Sequence, residues 1–234
     1  VVFSPDGKTL ASGAHDRDNQ GEVKLWDVVG LKEAQTLKGI ASRPNNIAFS
    51  PDGKTLAAEH TDWRMRGFTL WDVGTGKEKE KETARLKKND DLVQCLVFAP
   101  DGKTLAAVTP EGIMVWNLAS GERTNLLPAI QRQIGEGVLA LSPDGKLLVS
   151  PFSAKLSESG VFRVWDMASR KVVATRKGHD EGTLNAVAFR PDGQMFASGG
   201  DDGTIKLWET ASLKEIAVLK GHAGGVYSVA FSPD

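Results

Sequence analysis

Residues 189–208 read FRPDGQMFASGGDDGTIKLW. An apolar run ends at Phe189, and Arg190-Pro191-Asp192-Gly193 then reverses the chain. Proline presets φ at the second position of such a turn, and glycine accepts the positive φ that closes it. A second run passes through Met195, Phe196 and Ala197 before Asp202-Gly203 reverses the chain again. Thr204-Ile205-Lys206-Leu207-Trp208 then alternates apolar with polar and ends on tryptophan. Two turn signals flanking short β-rich runs predict a three-stranded antiparallel meander.

The rest of the chain repeats this pattern. A Phe-Ser-Pro-Asp-Gly phrase or near copy begins at Phe3, Phe49, Phe98, Leu141, Phe189 and Phe231, at spacings of 46, 49, 43, 48 and 42 residues. A tryptophan followed by Asp, Asn or Glu falls at Trp26, Trp71, Trp116, Trp165 and Trp208, at spacings of 45, 45, 49 and 43. Two independent anchors with one period of this length indicate a β-propeller array with four strands per repeat. The expected fold is all-β, with four-stranded antiparallel blades and almost no helix. The tryptophans that end the third strands should be buried. The chain opens on the tail of a strand, Val1-Val2-Phe3, and closes inside a turn at Phe231-Ser232-Pro233-Asp234. Residues 1–234 therefore read as a five-repeat segment of a larger ring of seven blades, with Val226–Phe231 repeating the role of Val1–Phe3. Open blade faces would let such a segment self-associate.

Gly178-His179 and Gly221-His222 precede first strands, and Trp-Asp pairs end third strands. On these residues the chain resembles the WD40 repeat β-propeller family over its whole length. The resemblance implies a structural tetrad in the best-kept repeat, in which His179, Ser198, Asp202 and Trp208 hydrogen-bond across one blade. Ile40 replaces the histidine after Gly39, Asn89-Asp90 occupies the next such site, and Gly135-Glu136 the one after. The tetrad is correspondingly incomplete in the repeats of Trp26, Trp71 and Trp116.

Composition removes several functional classes. Lys plus Arg is 29 against 30 acids, for a net charge of −1, and so the chain carries no signature of nucleic acid or of an anionic membrane as a partner. The single cysteine, Cys95, lies in an apolar run, reads as a buried thiol, and leaves neither an internal disulfide nor a zinc site. His15, His60, His179 and His222 show no paired metal-ligand spacing, so no metal and no cofactor are expected. His15 and His60 read as loop residues. Neither a G-x-S-x-G elbow nor a phosphate-binding G-x-x-x-x-G-K-[ST] loop is present. The aspartates recur once per repeat, which fits turns rather than catalysis. The Lys- and Glu-rich run from Lys77 to Lys88 reads as a solvated outer strand.

The connection between second and third strands varies most in length, and three of the five copies carry extra polar residues: 15–20, 60–66 and 153–158. Insertions in repeat folds gather on one face, often the binding face. That face lies opposite the Pro-Asp-Gly turns. It is expected to carry Arg17, Arg43, Trp63, Arg64, Arg66, Arg132 and Lys155, with Trp63 the sharpest member because it stands outside the repeat register. Tryptophan and arginine are over-represented among interface hot spots. The chain thus reads as a non-catalytic scaffold that binds protein or peptide partners. The alternative, suggested by a fainter likeness to TolB-like and peptidase-associated propellers, is a propeller that binds or processes a small molecule or peptide in its central channel.

Overall fold

The computed structural model describes residues 1–15, 20–40, 44, 46–61, 66–79, 84–86, 93, 95–109, 112–125, 138–152 and 160–232. Twenty strands form five four-stranded antiparallel sheets, and no helix occurs among the described residues. The first sheet contains β1 (Val2–Phe3), β2 (Thr9–His15), β3 (Gly21–Asp27) and β4 (Lys32–Leu37). The second contains β5 (Ile47–Phe49), β6 (Thr55–Thr61), β7 (Arg66–Asp72) and β8 (Ala84–Leu86). The third contains β9 (Cys95–Phe98), β10 (Thr104–Thr109), β11 (Gly112–Asn117) and β12 (Arg123–Asn125). The fourth contains β13 (Ala140–Leu141), β14 (Leu147–Phe152), β15 (Val161–Asp166) and β16 (Lys171–Lys177). The fifth contains β17 (Leu184–Phe189), β18 (Met195–Gly200), β19 (Ile205–Glu209) and β20 (Glu215–Leu219). Strands follow one another in chain order within every sheet. Residues 1–126 and 127–234 form two compact units.

The turn between first and second strands is built by its own side chains. Ser4 Oγ donates to Asp6 Oδ1 at 2.6 Å, Lys8 N donates to the same oxygen at 3.1 Å, and Thr9 N donates to Ser4 Oγ at 2.9 Å. The same set recurs at Ser50-Asp52 and Ser142-Asp144. Where Ala99 removes the hydroxyl, Asp101 instead accepts from Thr104 Oγ1 at 2.8 Å and from two backbone amides. These donors, the serine hydroxyl first, hold the Asp6, Asp52 and Asp144 carboxyls below the ordinary carboxylate range. Within each unit successive turns abut. A Cβ on Gly53 would stand 3.5 Å from Pro5 Cδ, one on Gly102 3.9 Å from Pro51 Cδ, and one on Gly193 3.5 Å from Pro143 Cδ.

Alternation along the third strand directs the packing, because successive side chains take opposite faces. Val23 and Leu25 of β3 share a buried cluster with Trp71 of the next sheet. Phe68 and Leu70 of β7 do the same with Trp116, whose ring meets Phe68 edge-on at 5.1 Å. In the second unit Phe162 and Val164 of β15 pack on Trp208, with Phe162 and Trp208 centroids 5.0 Å apart. In these three cases one face of the third strand supplies the wall against which the next sheet's tryptophan rests. Fully burying one such apolar side chain contributes roughly 1.5–3 kcal/mol. Trp71, Trp116, Trp165 and Trp208 are buried, whereas Trp26 is only partly so.

Two expectations need correction. His15 is the last residue of β2, opposite Gly21, and His60 lies in β6 opposite Gly67, so neither is a loop residue. The extra residues of these hairpins prolong the ladder: β6 and β7 form seven cross-strand pairs where β18 and β19 form five. Pairing satisfies backbone groups that a longer loop would leave to solvent. Val226–Phe231 belongs to no strand among the described residues. Val226 is buried and its amide donates to Gly200 O at 2.9 Å. Cys95 is a buried free thiol in β9.

Candidate functional site

The densest polar network among the described residues crosses the fifth sheet. His179 lies in the link between β16 and β17, Ser198 in β18, Asp202 in the turn after β18, and Trp208 near the end of β19. Because strands alternate in direction, the link before β17 and the β18–β19 turn share the end of the sheet opposite Arg190–Gly193. The imidazole is fully buried and lies between two partners, Nδ1 at 3.0 Å from Asp202 Oδ1 and Nε2 at 2.8 Å from Ser198 Oγ. Trp208 Nε1 donates to the same Ser198 Oγ at 2.9 Å. Gly200 is required beneath the ring, since a Cβ there would stand 2.5 Å from His179 Cγ.

Proton accounting sets the direction of this chain. A hydroxyl has one proton and two lone pairs. Ionised Asp202 can only accept, so Nδ1, which faces it, bears the proton of the neutral imidazole and donates it to Asp202. Nε2 is then an acceptor and takes the Ser198 proton, while the serine oxygen accepts from Trp208. The carboxylate also accepts from Thr204 Oγ1 at 2.7 Å, Thr204 N at 3.0 Å and Asp180 N at 3.0 Å. Burial pushes the Asp202 carboxyl up, but the donors from Thr204, His179 and Asp180 outweigh it and hold the group well below the ordinary carboxylate range.

Other sheets keep parts of this network. Trp26 Nε1 donates to Ser12 Oγ at 2.8 Å and Trp165 Nε1 to Ser150 Oγ at 3.0 Å. In the second sheet Ala58 stands where the serine would be, and Trp71 Nε1 turns to the carbonyl of Lys38 at 2.9 Å. Ile40, Ala58 and Trp71 lie in one buried apolar cluster. The second sheet thus replaces the histidine and serine of the network by apolar packing and keeps one bond, from the indole to a backbone carbonyl.

Of the expected rim residues, Arg17, Arg43, Trp63, Arg64, Arg132 and Lys155 lie outside the described residues. Arg66, expected in a loop, opens β7 opposite Thr61 and Leu86. A cluster that sequence reading missed occupies the described part of the same end of the fifth sheet. Exposed Asp201 accepts from Thr183 N at 2.8 Å and from Asn185 Nδ2 at 2.6 Å, and the Thr183 hydroxyl lies 2.7 Å from Asn185 Oδ1. These donors, the Thr183 amide first, lower the Asp201 pKa. Its only sequence signal was the doubled aspartate, Asp201-Asp202, before the turn glycine.

These features define the class: an all-β repeat protein whose polar side chains are spent within and between four-stranded sheets. Residues 1–27, 170–209 and 213–234 match the family described as "WD domain, G-beta repeat". The chain belongs to the WD40 repeat β-propeller family. It is 30% identical over 205 residues to "Periodic tryptophan protein 2" of Arabidopsis thaliana, covering 85% of this chain and 20% of that protein. It is 31% identical over 90 residues to "Guanine nucleotide-binding protein subunit beta" of Oryza sativa subsp. indica, covering 38% of this chain and 23% of that protein. The chain therefore spans about a fifth of the length of these curated relatives.

Proposed function

We propose that this chain is a protein-interaction scaffold with no catalysis of its own. The observation that carries the reading is the state of the Ser-His-Asp constellation in the fifth sheet. Ser198, His179 and Asp202 are connected as in a hydrolytic triad, hydroxyl to Nε2 and Nδ1 to carboxylate. A nucleophile must reach a substrate carbonyl, yet Ser198 and His179 are fully buried and the serine oxygen is covered by the Trp208 indole, which donates to it. The triad-like residues hold a sheet together and attack nothing. A relative whose printed name makes it a subunit of a guanine nucleotide-binding protein supports the same reading.

Partners are taken to be proteins or peptides bound at the end of the sheets opposite the Pro-Asp-Gly turns, through Arg17, Arg43, Trp63, Arg64, Arg66, Arg132 and Lys155. Their composition suits an acidic or phosphorylated peptide, with the indole as anchor and the guanidinium groups as its electrostatic frame. The test has two arms. A fluorophosphonate probe should leave Ser198 unlabelled, and labelling would make the chain a hydrolase. Screened against an array of acidic and phosphorylated peptides, the double variant Trp63→Ala/Arg64→Ala should lose over ~2 kcal/mol of binding with its melting temperature kept. Lower stability with unchanged affinity would move the site elsewhere.

A further inference from the structure

The outer strand of the fourth sheet is longer than the other four, and it differs from β4 and β20 in charge and exposure. β16 has seven residues, against six in β4, three each in β8 and β12, and five in β20. Six of its seven residues are exposed, Val173 among them at 56%. From Met167 to His179 the sequence carries Arg170, Lys171, Arg176 and Lys177 and no acid.

Two of the other outer strands, β4 and β20, neutralise their own charge. Glu33 of β4, opposite Trp26, pairs with Lys24 at 2.9 Å. Glu215 of β20, opposite Trp208, pairs with Lys206 at 3.2 Å. In the fourth sheet that position is Val172, opposite Trp165. The cation that corresponds to Lys24 and Lys206 is Arg163, and it stacks on Phe152 with its guanidinium carbon 3.3 Å from the ring centroid. The acid is gone, and neither Arg170 nor the three cations of the strand, Lys171, Arg176 and Lys177, make an ion pair among the described residues.

The edge also offers backbone groups. Gly178 N donates to Gly160 O. Alternation in an antiparallel ladder then turns the Ala174 and Arg176 amides toward β15 and the Thr175 and Lys177 amides outward. The Arg176 guanidinium lies 3.1 Å from the Thr175 carbonyl, which confirms that this carbonyl stands outside the ladder. A bulge at Val173 ends the regular edge on one side, leaving residues 174–177 straight.

We propose that β16 is a docking edge for an extended acidic segment of a partner protein, which adds to the fourth sheet as a fifth strand. The segment's main chain bonds the outward groups of Thr175 and Lys177, and its carboxylates meet Arg170, Lys171, Arg176 and Lys177. Its apolar side chains cover Val172 and Val173. Strand addition takes affinity from main-chain bonds and specificity from alternate side chains. Cations on an edge repel a second copy of the same edge, and the same charge selects an acidic partner. This surface is separate from the loop-bearing end proposed above.

The test uses the full chain and a fluorescein-labelled ten-residue peptide of alternating glutamate and valine, read by anisotropy. Binding is expected and should weaken as salt rises, while the lysine-valine counterpart should not bind. Arg176→Glu/Lys177→Glu should lower affinity at least tenfold. Thr175→Pro, which removes one outward amide and keeps all four cations, should also lower it severalfold. Should Thr175→Pro fold poorly, slowed hydrogen exchange of the Thr175 and Lys177 amides in the unaltered chain on peptide addition replaces it. Undiminished binding to folded Thr175→Pro, or unchanged exchange, overturns strand addition. Equal competition by a single-stranded DNA oligomer, or a loss of peptide binding in Trp63→Ala/Arg64→Ala, overturns the edge as the site.

Discussion

Trp208 Nε1 donates to Ser198 Oγ at 2.9 Å, and that bond ties the indole to the chain that runs on through His179 to Asp202. The serine is the pivot. It is the sole residue that touches both the indole and the imidazole Nε2 in this network, and its removal orphans two buried groups at once.

Ser198→Ala should therefore destabilise the chain more than Ser12→Ala. The first leaves Trp208 Nε1 and His179 Nε2 without partners in a closed interior, and an unsatisfied buried group costs about 1–3 kcal/mol. The second frees only the indole of Trp26, which is partly exposed and can find water. Urea unfolding of the two variants checks the order, and equal midpoints would contradict the pivot role.

Asp202 makes stability depend on acid. Its folded pKa lies below its unfolded one, so its contribution is present above the unfolded value near 3.8 and is lost as pH falls through the folded one. Melting temperature measured from pH 5 downward should fall less steeply in Asp202→Asn than in the unaltered chain. At neutral pH the asparagine variant should already be less stable, because a charge-assisted partner of His179 is gone. Parallel acid profiles would sink the assignment.

Gly160 and Gly7 separate strain from collision. Both have positive φ, at 70° and 68°. A Cβ on Gly7 meets nothing within 4 Å, whereas one on Gly160 would stand 2.2 Å from the His179 carbonyl oxygen. Gly7→Ala should cost the left-handed strain alone, roughly 1–2 kcal/mol. Gly160→Ala should cost clearly more and shift the His179 resonances, because the obstacle is backbone that also accepts no other path. Thermal melts and one-dimensional NMR of the imidazole protons measure both effects.

The second sheet invites the reverse experiment. Ile40→His would bury an imidazole against Ala58, with no hydroxyl to meet Nε2, and an uncompensated buried polar group costs about 1–3 kcal/mol. Adding Ala58→Ser should recover part of that loss and draw the Trp71 indole from Lys38 O toward the new hydroxyl. The coupling is read as a double-mutant cycle of unfolding free energies, and strict additivity would show that the two positions do not meet.

How far the chain could be read without coordinates depended on the range of the physics involved. Pro-Asp-Gly turns, period-two alternation and recurrent tryptophans act over a few residues, so twenty strands in five sheets were legible as a repeat with turns in the correct places. The choice of hydrogen-bond acceptor was legible only where the family resemblance supplied it, in the tetrad of His179, Ser198, Asp202 and Trp208. Nothing local tells that Trp71 donates to Lys38 O, a residue 33 positions earlier, once Ala58 removes the hydroxyl. His15 and His60 were misread as loop residues because polar insertions look alike in a sequence whether they pair or not, and only the competition between ladder and loop decides. The Asp201, Thr183 and Asn185 cluster spans 18 residues of chain and closes only when the β18–β19 turn meets the link before β17. The bare charge of β16 was present in the letters from the start. Only the sheet order, which makes it an edge, and the missing glutamate opposite Trp165, which leaves it unneutralised, turn that composition into a surface. Sequence determined the elements, since their causes lie within one turn or one strand. Tertiary structure determined the partners, since distances between repeats are set by packing and not by spacing along the chain.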